Sequence, residues 1–71
     1  MAIMKEVKID SEFITLGQFL KFADLVSSGG EVRAFLAENE ISVNGEAENR
    51  RGRKLYRNDL ICIGGKQYKI C

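Results

Sequence analysis

Apolar and polar residues alternate at the start of the chain: Ile3, Val7 and Ile9 share one face with Lys5 between them, and Met4, Glu6 and Lys8 take the other. A period of two is that of a half-buried strand, so residues 3–9 are expected to be extended. From Leu16 the period lengthens. Leu16, Phe19, Leu20 and Ala23 fall on one stripe of a helix expected from Leu16 to about Leu25, with Lys21 and Asp24 facing out. Thr15 stands three residues ahead of Gln18, the spacing at which a hydroxyl caps the first turn and the amide side chain reaches back. Ser28 and Glu31 repeat that spacing, and Val32, Phe35 and Leu36 form the stripe of a second helix from about Gly29 to Glu38. Asn39 tolerates the left-handed conformation that often ends a helix and is expected to do so here. Residues 26–28 are too short a connection for anything but two helices packed as a corner or hairpin.

After Asn39 the period returns to two. Ile41 and Val43 flank Ser42, and Asn44-Gly45 suits the positive φ angles of a two-residue hairpin turn. Leu60-Ile61-Cys62-Ile63 and Gln67-Tyr68-Lys69-Ile70 read as a second strand pair around Gly64-Gly65, entered through Asn58-Asp59. The stretch between the two strand regions is expected to be a loop or irregular edge. The order predicts an α+β fold, two packed helices against a small antiparallel β unit. Seventy-one residues make one domain, 1–71, without internal repeat, proline or low-complexity linker.

Composition narrows the class. With 45% apolar and 30% charged residues the chain is too apolar for a disordered protein. No stretch approaches the ~20 apolar residues that span a bilayer, and the first residues lack the basic start and long apolar run of a signal peptide. A cytoplasmic protein without membrane contact is expected. The second hairpin would set Cys62 opposite Gln67, leaving Cys71 roughly 13 Å further along at the usual strand rise. That is beyond disulfide reach, so two free thiols are expected. With no His and two Cys, zinc lacks its usual ligands and nucleophile–His pairs are impossible. Glu46 and Glu48 are the only closely spaced acidic pair near the basic segment, and they read as a solvated face. No cofactor, metal or catalytic activity is expected.

Charge supplies the sharpest signal. From Asn49 to the C-terminus seven basic residues stand against Asp59 alone, a net of +6, whereas residues 1–48 carry four basic against nine acidic, a net of −5. Most of the excess lies in Asn49-Arg50-Arg51-Gly52-Arg53-Lys54 and in Arg57. Such asymmetry points to a polyanionic partner, and the planar donor fork of Arg matches phosphate oxygens. Gly52 lets the backbone approach a ligand closely. Ser28-Gly29-Gly30 offers helix-start amides unobstructed by side chains, and Lys21 and Arg33 could extend the surface if the fold brings them near. Each feature also has a plainer reading, as a solvated basic loop, a tight helix entry and solubilising charges.

The stretch from Leu16 to Ile63 resembles the S-four-type RNA-binding domain, or alpha-L motif. Ser28 opens the second helix, Ile41-Ser42-Val43-Asn44-Gly45 fits the family's Val-x-Val-Asn-Gly element, and Asn58-Asp59-Leu60-Ile61 fits its Gly-Asp turn, with spacings free of gaps from Ser28 to Ile63. Residues 15–21, 29–30 and 49–55 further resemble small stand-alone bacterial members of the YbcJ or YaaA type; the family-like core spans 15–63. Gly29 stands where most of the wider family carries Arg, Asn39 replaces the usual helix-ending Gly, and the basic run fills a segment that is less charged and proline-containing in many relatives. The resemblance implies that the second helix and the following loop and strand share one RNA-facing surface.

These readings combine into an expectation: a monomeric, non-catalytic module recognising structured RNA, with ribosomal RNA or a ribosomal particle as a candidate target. The site would comprise Lys21, Gly29, Gly30, Arg33, Asn49, Arg50, Arg51, Gly52, Arg53, Lys54 and Arg57, the cationic contact having moved from the position of Gly29 to the basic run. Phosphate contacts leave DNA open as a partner, since only the 2′-hydroxyl separates the two acids. Aromatic stacking is expected to contribute less: Phe19 and Phe35 belong to core stripes, and Tyr56, the one aromatic within the basic segment, is expected to pack more readily than to touch a base. The rival reading is a protein-interaction module docking its basic loop on an acidic partner surface.

Overall fold

Val7 and Ile9 are buried and Met4, Glu6 and Lys8 exposed, as the alternation predicts, in the computed structural model, which describes residues 4–71; Lys5, on the face of Val7, is exposed, and Ile3 lies outside the described residues. The first strand, β1 (Met4–Val7), does not join a neighbour in sequence. It runs parallel to the last strand, β7 (Lys66–Ile70), with Met4 opposite Gln67 and Val7 opposite Ile70. The ladder continues past β1: the Cys71 amide donates to Val7 O (2.9 Å) and the Ile9 amide to Cys71 O (3.0 Å). The β unit expected to be antiparallel is therefore a mixed sheet, because the helices between β1 and β7 carry the chain across and let distant segments align in parallel.

β3 (Ile41–Val43), β4 (Glu46–Ala47) and β6 (Leu60–Ile63) complete that sheet in the order β1-β7-β6-β3-β4. Asn44 (φ 53°) and Gly45 (φ 87°) make the expected hairpin turn, and Val43 faces Glu46 across it. Cys62 faces Gln67, as the second hairpin requires, and both cysteines are free. Asn44 also braces the start of β6. Its side chain accepts from the Leu60 amide (2.9 Å) and donates to Asp59 (3.1 Å), so the Asn-Gly and Asn-Asp elements lock to each other.

Helix α1 (Leu16–Phe22) starts as predicted, with Thr15 Oγ1 accepting from the Gln18 amide and Gln18 Oε1 from the Thr15 amide. It ends three residues short of Leu25. Asp24 takes φ 62°, its amide donates to Lys21 O, and the Leu25 amide donates to Leu20 O, the paired bonds of a Schellman stop. Helix α2 (Gly29–Glu38) has the expected bounds but different caps. Ser28 makes no side-chain capping bond; instead Glu31 accepts from the amide (3.2 Å) and hydroxyl (2.6 Å) of Ser27, which hold its pKa below the usual value. Asn39 is extended (φ −124°, ψ 144°) rather than left-handed, because β3 begins two residues later; its side-chain amide donates to Phe35 O.

Leu16, Phe19 and Leu20 of α1 and Val32 of α2 pack on the inward residues Val43, Ile61, Tyr68 and Ile70 of the sheet. Phe19 meets Tyr68 edge-on, with ring centroids 5.4 Å apart at 83°, joining α1 to β7. A second, two-stranded sheet went unpredicted: β2 (Phe13–Thr15) pairs antiparallel with β5 (Lys54–Tyr56), burying Leu55. The C-terminal part of the basic run is thus a strand, and it is tied to the chain just before α1.

Candidate functional site

Between β4 and β5 the chain turns through residues 48–53 around a carboxylate. The Glu48 amide donates to Ile41 O (2.8 Å), which extends the β3–β4 pairing and turns the side chain inward, where it is only 5% exposed. That carboxylate accepts five hydrogen bonds: to Oε2 from the amides of Asn49 and Arg50 (both 3.1 Å) and from Arg50 Nε (3.0 Å), and to Oε1 from Arg50 Nη2 (3.0 Å) and Arg53 Nη1 (2.8 Å). Glu48 is therefore the buried hub of the basic loop, correcting its expected place on a solvated face. The Arg50 side chain, foremost, with the Arg50 amide and Arg53, pulls the Glu48 pKa to about 2 against burial, which acts to raise it. Glu48 in turn raises the pKa of Arg50. The Arg50 side chain stays 72% exposed, so its outward donors face solvent while its inner edge is held.

The loop backbone is docked as firmly as its side chains. Leu16 and Gly17 open α1 with amides that have no partner inside the helix, and they donate to Arg53 O (2.7 Å) and Arg51 O (2.9 Å). A Cβ on Gly17 would stand 3.4 Å from Arg51 O, so glycine permits this close approach. With the carbonyls of Arg51 and Arg53 turned to α1, the side chains of Arg50 and Arg51 stay exposed and Arg53 is half-buried against Glu48. Arg51 lies beside the start of α2: a Cβ on Gly29 would come within 3.9 Å of Arg51 Nη2.

The expected site residues separate into groups. Arg33, Asn49 and Arg51 line one shallow depression with Leu36 and Ala37, next to Gly29. Arg50, Gly52, Arg53 and Lys54 line another with Tyr56 and Asp59. Gly30 is exposed at the α2 start. Lys21 is exposed in the last turn of α1 and lines neither depression. Arg57 also lies outside both; its Nη2 donates to Ile9 O (3.1 Å), pinning the chain after β1. Lys54 sits on β5, not in a loop, with Nζ 4.9 Å from the centroid of Phe13.

Sequence reasoning missed Glu48, Gly17 and Phe13. The Thr-Leu-Gly start of α1 held a hint for Gly17, since glycine in a first helical turn gives up helix propensity for close approach. Nothing local marks Glu48 as buried. Among the described residues no group of three or more His, Cys, Asp or Glu is placed to hold a metal ion, and no helix is long and apolar enough to cross a membrane.

Residues 7–71 match the S4 domain family. The chain is also 58% identical over 59 residues to the probable ribosome maturation protein RlbA of Bacillus subtilis (strain 168), an alignment covering 83% of each chain. A match across nearly the whole chain, joined to two helices on a mixed sheet with the Asn44 and Asp59 elements interlocked, places this protein in the S4 domain family.

Proposed function

We propose that this chain is a non-catalytic RNA-binding module that acts on ribosomal RNA or on a ribosomal particle during its maturation. One observation carries the reading: Glu48 fixes Arg50 and Arg53 from inside while the Arg50 side chain stays largely exposed, next to Arg51 at the start of α2. Structured RNA is recognised largely through backbone and shape, and cations held before binding lose less side-chain entropy on contact. Arg50, Arg51, Arg53 and Lys54 would meet phosphates, the amides of Gly29 and Gly30 would add donors at a helix start, and Arg33 and Asn49 would widen the surface. The closeness of Arg51 to Gly29 supports a transferred contact: a cation from the loop reaches the place where the wider family is expected to carry Arg on the helix. The name of the Bacillus relative directs the choice of RNA.

Sequencing of RNA crosslinked to the tagged chain in cells tests the reading. Enrichment of ribosomal RNA, lost when Arg50, Arg51 and Arg53 are replaced together by Ala, is expected. Equal crosslinking by the triple variant would remove the loop from the interface, and partners retained after ribonuclease treatment would favour docking on an acidic protein instead.

A further inference from the structure

We propose that Tyr56 is a stacking platform for one unpaired nucleobase whose flanking phosphates are held by Arg50, Arg53 and Lys54. The inference rests on the RNA-binding reading and adds to it a kind of RNA, a helix interrupted by a bulge or loop. Of the two tyrosines, Tyr68 is 4% exposed and packed in the core, whereas Tyr56 is 43% exposed. Tyr56 follows Lys54 at strand spacing, on the face of β5 opposite the buried Leu55. It pairs with Phe13 of β2, the rings 5.7 Å apart and tilted at 47°, and its amide donates to Asp59 Oδ2 (2.8 Å). The ring is therefore in contact with a second aromatic and fixed through its backbone while the residue as a whole stays exposed. Phe22 is more exposed, at 65%, but the depression it lines with Ser11, Glu12, Phe13, Ile14 and Gln18 holds no cation.

Tyr56 instead shares one depression with Arg50, Arg53 and Lys54. Asp59 is the one acidic group there, and its carboxylate oxygens are occupied by the Asn44 side chain and the Tyr56 amide. An aromatic face beside cations is the combination that binds unpaired nucleotides, the ring taking the base and the cations the backbone. A continuous duplex offers no free base face, so the ring would add nothing to duplex binding.

The test uses the full chain and two hairpin RNAs with the same stem, one carrying a single bulged adenosine. Wild-type protein is expected to prefer the bulged hairpin at least about fivefold, the low end of base–aromatic stacking expressed as affinity. Tyr56→Phe keeps that preference; Tyr56→Ile, which suits a strand but has no π face, loses it while binding the unbroken stem as before. A Tyr56→Trp variant gives a readout specific to this position, because the chain has no other Trp: its fluorescence is quenched by the bulged hairpin and unchanged by the unbroken one. Equal binding of both hairpins by wild type, or absence of quenching, overturns the stacking role and leaves the basic-loop reading standing. Salt-insensitive or absent binding of both hairpins overturns the two together.

Discussion

Replacing Glu48 by Gln removes a negative charge from the centre of a cationic surface, and two ideas of how that surface works give opposite outcomes. If the loop acts as a sum of charges, Glu48→Gln tightens RNA binding. If it acts through fixed geometry, binding weakens. Gln keeps one acceptor oxygen but turns a donor NH2 toward guanidinium donors, so the bidentate contact with Arg50 and the bond from Arg53 cannot all survive. The Arg50 contribution to folding is screened, since that side chain is mostly exposed, and is set aside. The half-buried Arg53 bond and the two amides that lose a carboxylate acceptor together cost about 2 kcal/mol of stability. For binding, re-ordering two freed Arg side chains costs about 0.5–1.5 kcal/mol each, partly offset by lower repulsion of phosphate, so affinity should fall about five- to tenfold.

The same substitution has an acid signature. The folded-state pKa of Glu48 is lowered from its ordinary 4.5 to about 2, so its stabilisation is fully present above about pH 5 and lost as pH falls from about 4.5 toward 2. Glu31 is shifted in the same direction, so Glu48→Gln flattens the acid limb of the stability curve without abolishing it. Urea titrations between pH 2.5 and 7, with anisotropy titrations of hairpin RNA at pH 7, read both effects. Unchanged or tighter binding by a folded Glu48→Gln protein would refute the positioning role.

Asp24→Gly should raise the melting temperature by about 2–4 °C in a calorimetric scan, because Asp24 holds φ 62° at the Schellman position where glycine carries less strain. Asn44→Ala removes both side-chain bonds to the Asp59-Leu60 segment and leaves Ala at φ 53°, and should cost about 2 kcal/mol in a urea titration. Arg57→Ala should lower stability by about 0.5–1 kcal/mol through loss of the bond to Ile9 O, while the salt dependence of RNA binding stays at the wild-type slope.

Local pattern was enough where one segment carries its own signal. The stripe Val32, Phe35 and Leu36 marks α2, Thr15 and Gln18 announce the start of α1, and Asn44-Gly45 marks a turn through its dihedral angles alone. Legibility fails where the deciding partner is far along the chain. The parallel β1–β7 pairing joins residues more than sixty apart, and β2 and β5 are three-residue strands too short to show a period. Ser28 has the capping spacing to Glu31, but the fold gives that carboxylate to the neighbouring Ser27. The basic run was visible as charge, but its division was not: Arg50 and Arg53 gather on Glu48, Arg51 reaches toward Gly29, Lys54 moves onto a strand and Arg57 is engaged elsewhere. The docking of the Arg51 and Arg53 carbonyls on Gly17 and Leu16, which helps to place the loop, is likewise a contact no local spacing encodes.

The most direct measurement is the affinity of wild-type protein and of the Arg50→Ala, Arg51→Ala, Arg53→Ala triple variant for a ribosomal RNA fragment across a salt series. With about four to six phosphates neutralised, log affinity of the wild type should fall against log salt with a slope of roughly −3 to −5, and the triple variant, its folding checked by circular dichroism at the assay temperature, should lose about three units of that slope. A flat salt response of the wild type, or a folded triple variant with the full slope, would contradict RNA binding through the Glu48-centred loop.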